Sequence, residues 1–122
     1  DFRPATVAEQ KIKKDRDIDT MTVAMVKNPD ILAMVAGTDS APFTVGFAAE
    51  TENLIDHARD KLARKGINMV VVNDVSREDV GFASDANEVT VISNSDAIQI
   101  DKCDKQHLAR RLIELIAVQL TG

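Results

Sequence analysis

Three lysines fall within four residues, Lys11-Ile12-Lys13-Lys14, in a chain whose formal net charge is -5. Like charges that close repel, so the tetrapeptide either spreads into solvent as a charged loop or gathers around an anion, and a polyphosphate suits it best. A second basic pair, Lys61 and Lys65, stands four residues apart, which on a helix means one face and one turn. The pair could grip successive phosphates, although lysines near a helix C-terminus are also explained by the helix dipole alone. Asn28-Pro29-Asp30 offers free amides if it opens a helix, and the same three residues are fully accounted for as a cap. Gly46-Phe47-Ala48-Ala49-Glu50 ends an apolar run in small residues, where a ligand ring could approach the backbone beside Phe47; Phe47 as plain core is the rival reading. Asn73-Asp74 reads as a turn or as a further polar contact. Four of these stretches, Lys11 to Lys14, Asn28 to Leu32, Val45 to Glu50 and the Lys61/Lys65 pair, can converge on one ligand, because open α/β sheets bind at the carboxyl ends of their strands. No Walker A loop, GxGxxG, Ser-His-Asp set or Cys-His set is present.

Composition narrows the field. The 122 residues are 44% hydrophobic and 29% charged, the make-up of one globular domain with room for a real core. No run is long enough to span a membrane, and the start, Asp1-Phe2-Arg3-Pro4, has neither Met nor a signal-type segment, so the chain reads as cytoplasmic and trimmed. The single Cys103 suits a reducing compartment, and His57 and His107 belong to no spaced metal-ligand set, so no bound transition metal is expected. With 3% aromatic residues and a pI near 4.9, general nucleic-acid binding lacks both stacking platforms and a basic face.

The elements that must position these residues follow from periodicity. Met21, Val23 and Met25 alternate within Thr20 to Val26, the pattern of a strand. Asn28 as N-cap with Pro29 at the first helical position predicts a short helix to about Ala36, closed by Gly37. Phe43 to Ala48 reads as a strand. Leu54, Ala58 and Leu62 then recur every four residues up to Gly66, the clearest helix in the chain. Ile67 to Val72 is apolar throughout, as in a central parallel strand covered on both faces. Glu88 to Ile92 and Ala97 to Ile100 predict a hairpin around Ser93 to Asp96, and a last helix starts at the cap Asp104 with Leu108, Leu112, Leu115, Ile116 and Leu120 facing the sheet. This order predicts an α/β, Rossmann-like three-layer sheet with helices on both faces and a C-terminal β-hairpin plus helix. A buried parallel strand needs a neighbour on each edge, and Asp1 to Gln10 shows no strand pattern, so the first β-α unit is expected to be missing and the chain to be a fragment.

In order and spacing, Asp1-Phe2-Arg3-Pro4, Lys11-Ile12-Lys13-Lys14, Lys27-Asn28-Pro29-Asp30-Ile31-Leu32, Val45-Gly46-Phe47-Ala48-Ala49-Glu50-Thr51 and Asn73-Asp74-Val75-Ser76 closely resemble the C-terminal part of bacterial phosphopantothenate cysteine ligase, or phosphopantothenoylcysteine synthetase. The resemblance spans essentially the whole chain. It implies a coenzyme A biosynthetic enzyme that joins 4′-phosphopantothenate to cysteine at the expense of CTP, with Mg2+, through an acyl-cytidylate. Carried over residue by residue, Lys11 matches the functional lysine at the head of the family's KxKK motif. Asp1, Lys11, Pro29, Asp30, Ile31, Leu32, Phe47, Lys61 and Lys65 match positions that contact CTP; Lys13 and Lys14 complete the motif. The family's glycine-rich phosphate-binding segment lies upstream of the position of Asp1, which matches the missing β-α unit. The resemblance also implies a homodimer, with Asp15 to Val26 in the region of an arm that reaches the partner, and a decarboxylase domain fused in front in many bacteria. The other readings left open are a nucleotide-binding fragment without chemistry of its own and a dimerisation piece with no ligand.

Overall fold

The computed structural model describes residues 1–13, 19–76 and 84–122. Lys14 and the start of the expected arm, residues 15–18, lie outside the described residues. The chain divides into two compact units, Asp1–Asp30 and Ile31–Gly122.

The first unit is a two-stranded antiparallel ribbon. β1 (Phe2–Pro4) pairs with β2 (Met25–Lys27), with Arg3 opposite Val26. The expected strand from Thr20 therefore contracts to its last residues, because β1 offers only three positions to pair with. Asn28 does not cap a helix. Its N–H donates to the Asp1 carbonyl at 2.9 Å and its Oδ1 accepts from Arg3 Nη1 at 3.2 Å, so both groups serve the ribbon.

The second unit begins with α1 (Ile31–Ala36), followed by β3 (Val45–Glu50), α2 (Leu54–Lys65), β4 (Met69–Asp74), β5 (Ala86–Ser93), β6 (Ala97–Asp104) and α3 (Lys105–Thr121). The strands form one sheet in the order β3-β4-β5-β6. β3 and β4 are parallel, Phe47 standing beside Val71, while β4-β5 and β5-β6 are antiparallel. The second neighbour of β4 is thus the following strand running back, not a preceding parallel one, and the sheet is mixed.

Alternation along β4 sorts the core into two layers. Val70 and Val72 face α1 and α2, packing with Ala48, Ala58, Leu62, Ile67 and Ile92. Met69 and Val71 face α3, packing with Val89, Val91, Ile100 and Leu108. The expected three-layer α/β arrangement is what forms. Leu112, Leu115 and Ile116 join the second layer, but Leu120 is 62% exposed, because the last turn of α3 has no described apolar partner.

Local chemistry sets the ends. β3 starts two residues later than its apolar run, since the Thr44 N–H donates to Asn68 Oδ1 at 2.8 Å instead of entering the ladder. α2 opens behind Asn53, at φ 47°, and closes at Gly66, at φ 66°, left-handed conformations that asparagine tolerates and glycine adopts freely. Asp104 caps α3, its Oδ1 accepting the His107 N–H at 2.8 Å.

Ile92 has no exposed surface, so Ile92→Ala should cost about 2–5 kcal/mol, read as a lower denaturant midpoint with unchanged slope. The His107 N–H, ahead of smaller contributions, holds the Asp104 carboxyl below the ordinary aspartate range. A depressed folded pKa stabilises above the unfolded value, and the effect fades as pH falls through the folded one. Asp104→Ala should therefore lower the melting temperature at pH 7 and have much less effect in strong acid; an equal drop at both would exclude the cap.

Candidate functional site

The carboxyl end of β3 brings a carboxylate, an imidazole and an ammonium together. Gly46, Ala48 and Glu50 share the face that α2 covers, while Val45, Phe47 and Ala49 point to the other. Glu50 accepts from Lys61 Nζ at 2.8 Å through Oε1, and its Oε2 lies 3.1 Å from His57 Nδ1. His57 and Lys61 are one turn apart on α2, so a single carboxylate at the strand end meets both. The Lys61 hydrogen bond is the larger cause, with His57 adding to it, and together they outweigh desolvation and keep the Glu50 carboxyl below the usual glutamate range.

Of the residues singled out by sequence, Lys61 is thus already paired. Lys65 lies one turn further along α2, half-buried like Lys61. Phe47 is not core: it is 70% exposed, on the α3 side of a strand whose outer edge has no partner among the described residues. Phe47 and Lys61 therefore occupy opposite faces of β3, and one ligand can reach both only around that edge or across the strand's carboxyl end.

Gly46 has a packing explanation. A Cβ there would come within 2.8 Å of Ile67 Cδ1 and 3.1 Å of Leu32 Cδ2, so the space read as room for a ligand ring is filled by the protein's own side chains. Leu32 accordingly packs against the inner layer, whereas Ile31 is 72% exposed. Asn73 Oδ1 accepts from Asn87 Nδ2 at 2.7 Å, and the Asp74 carboxylate accepts the Ser76 N–H at 3.0 Å in a local turn. In the first unit, Asp1, Lys11, Lys13, Pro29 and Asp30 are all exposed.

Sequence reasoning missed Glu50 and His57 as a pair. The available signal was the four-residue step from His57 to Lys61, with a carboxylate at the end of the preceding strand. Among the described residues no group of three or more His, Cys, Asp or Glu side chains is placed to hold a metal ion, and no helix is long and apolar enough to cross a membrane.

This α/β sheet with a parallel β-α-β core and an appended hairpin and helix defines a known class. The chain belongs to the family of the DNA/pantothenate metabolism flavoprotein C-terminal domain, whose model matches residues 1–120. It is 50% identical over 121 residues to the coenzyme A biosynthesis bifunctional protein CoaBC of Vibrio cholerae, covering 98% of this chain and 30% of that protein. The Escherichia coli K12 protein of the same name is 52% identical over 89 residues, 71% of this chain and 22% of its own. The chain thus spans about three tenths or less of the relatives it matches. Among solved structures, the C-terminal domain of a coenzyme A biosynthesis bifunctional protein CoaBC superposes with a TM-score of 0.73 at 26% identity, over 99% of this chain and 50% of that one. The DNA/pantothenate metabolism flavoprotein from Streptococcus pneumoniae shares the fold, with a TM-score of 0.65 at 18% identity over 82% of this chain and 44% of that one.

The Glu50 arrangement is open to direct titration. In carbon-detected NMR the Glu50 carboxyl should titrate below an ordinary glutamate, and Lys61→Gln should move it back up. A midpoint indifferent to Lys61 would show that the ion pair does not persist in solution.

Proposed function

We propose that the parent chain of this domain is a CTP-dependent phosphopantothenate-cysteine ligase. What supports the reading is the match over residues 1–120 to a family whose relatives are coenzyme A biosynthesis proteins, combined with the KxKK motif at Lys11. In the first half-reaction the carboxylate of 4′-phosphopantothenate attacks the α-phosphate of CTP, forming an acyl-cytidylate and releasing pyrophosphate. The cysteine amine then attacks the acyl carbon, loses its proton, and CMP leaves.

The chain's own residues supply charge and shape. Lys11 stabilises negative charge at the reacting acyl phosphate, where an ammonium acts most strongly in the transition state. Lys61 and Lys65, one turn apart, take phosphate oxygens of the nucleotide. Asp1, Pro29, Asp30, Ile31 and Phe47 offer exposed surfaces for the remainder of CTP, and Leu32, partly buried against the core, offers less side-chain surface. Mg2+ fits this reading as an ion brought by the triphosphate, which carries more negative charge than three or four lysines neutralise.

The reading also includes a homodimer. The β1-β2 ribbon leaves Phe2, Met25 and Val26 exposed, and a two-stranded ribbon on its own is marginal in water. A decarboxylase as the second activity of a bifunctional parent, and a cytoplasmic location, complete it.

The parent protein should release pyrophosphate only when CTP and 4′-phosphopantothenate are both present; no release with both would overturn the reading. In single-turnover experiments Lys11→Gln should slow the chemical steps about 100- to 1,000-fold and leave CTP binding nearly unchanged. Lys61→Gln and Lys65→Gln should each weaken CTP binding about tenfold, and unaltered affinity would remove their phosphate role.

A further inference from the structure

Lys61 reaches the carboxyl end of β3 with one of its donors committed, Nζ to Glu50 Oε1 at 2.8 Å. A lysine on a helix surface ordinarily samples many rotamers, yet this side chain is only 31% exposed and its head is fixed. The carboxylate that fixes it is held in turn. Glu50 is the last residue of β3, its backbone oxygen accepts the Val75 N–H at 2.9 Å, its side chain is 17% exposed, and its second oxygen faces His57. An ammonium has three donors, so two remain for other oxygens.

We infer that Glu50, steadied by His57, is a positioning residue that presets the Lys61 ammonium at the end of β3 for a phosphate oxygen of the nucleotide. This rests on the reading of Lys61 as a phosphate-binding residue. Glu50 touches no substrate in this account and acts through Lys61. Two effects oppose one another. The carboxylate offsets part of the lysine's charge, while holding the side chain in place removes the ordering cost of binding. The His57 ring on the other carboxylate oxygen favours the second, because a simple counter-ion would not need it.

The experiment is a double-mutant cycle on the full-length parent, reading the CTP dissociation constant by calorimetry for wild type, Glu50→Gln, Glu50→Ala, Lys61→Gln and Lys61→Gln combined with each Glu50 variant. Glu50→Ala should weaken binding about threefold to tenfold, and Glu50→Gln, which keeps an acceptor, should weaken it less. In the Lys61→Gln background neither should have any further effect. Tighter or unchanged binding by Glu50→Ala would make the carboxylate a mere counter-charge and overturn the inference. Equal weakening with and without Lys61 would reduce Glu50 to a structural role and overturn it too. If Lys61→Gln alone leaves affinity untouched, the phosphate reading of Lys61 fails and the inference falls with it. Should Glu50→Ala not fold, the Glu50→Gln cycle carries the same comparison.

Discussion

Everything in the second unit leans on β4. Met69, Val70, Val71 and Val72 are each 2% exposed or less, so both faces of the strand are shut away from water at once. That is possible only if every backbone group along it is paired and both flanking layers are apolar. β3 and β5 satisfy the first condition from either side, and α2 and α3 the second. β-branched side chains suit this position because they fill a pleated surface and lose little rotamer freedom in doing so.

The polar arrangement at the end of β3 inherits its geometry from that packing. α2 is seated on the sheet by Ala58 and Leu62, and the flank of the same turns carries His57 and Lys61. Ala58, with no exposed surface, lets the helix approach closely, and Gly46 does the same for α1 and the Ile67 side chain. A few small residues thereby fix the height of α2 over β3, which decides whether an ammonium on a long stem can meet a carboxylate at the strand end. Polar chemistry at the surface is here set by apolar fit beneath it.

The core was the most legible part of the sequence. Ile67 to Val72 and the Leu54-Ala58-Leu62 series announce burial by pattern alone, and Asp104 before an amphipathic run marks a cap. Strand direction was less legible, since an apolar run looks the same whether its neighbour runs parallel or back. Gly46 shows another limit: a glycine says that something comes close, but not whether that something is ligand or protein. Asn28 shows a third, because the same side chain can cap a helix or tie down a ribbon, and only the chain geometry around Arg3 decides. At the site, the lysines were visible as charge. The carboxylate partner of Lys61 was not, because the four-residue step from His57 to Lys61 marks a helix face without saying which residue of the preceding strand it meets.

The mixed sheet has a kinetic side. β5 and β6 are joined by the short connection from Asn94 to Asp96, and α3 follows β6 directly. Pairing between such near neighbours closes small loops and costs little chain entropy, whereas joining β3 to β4 must wait for all of α2 to be spanned. The C-terminal strands and helix therefore form the part of this unit that can nucleate early. The parallel β3-β4 pair, whose carboxyl end carries Glu50 and its partners, closes the longer loop.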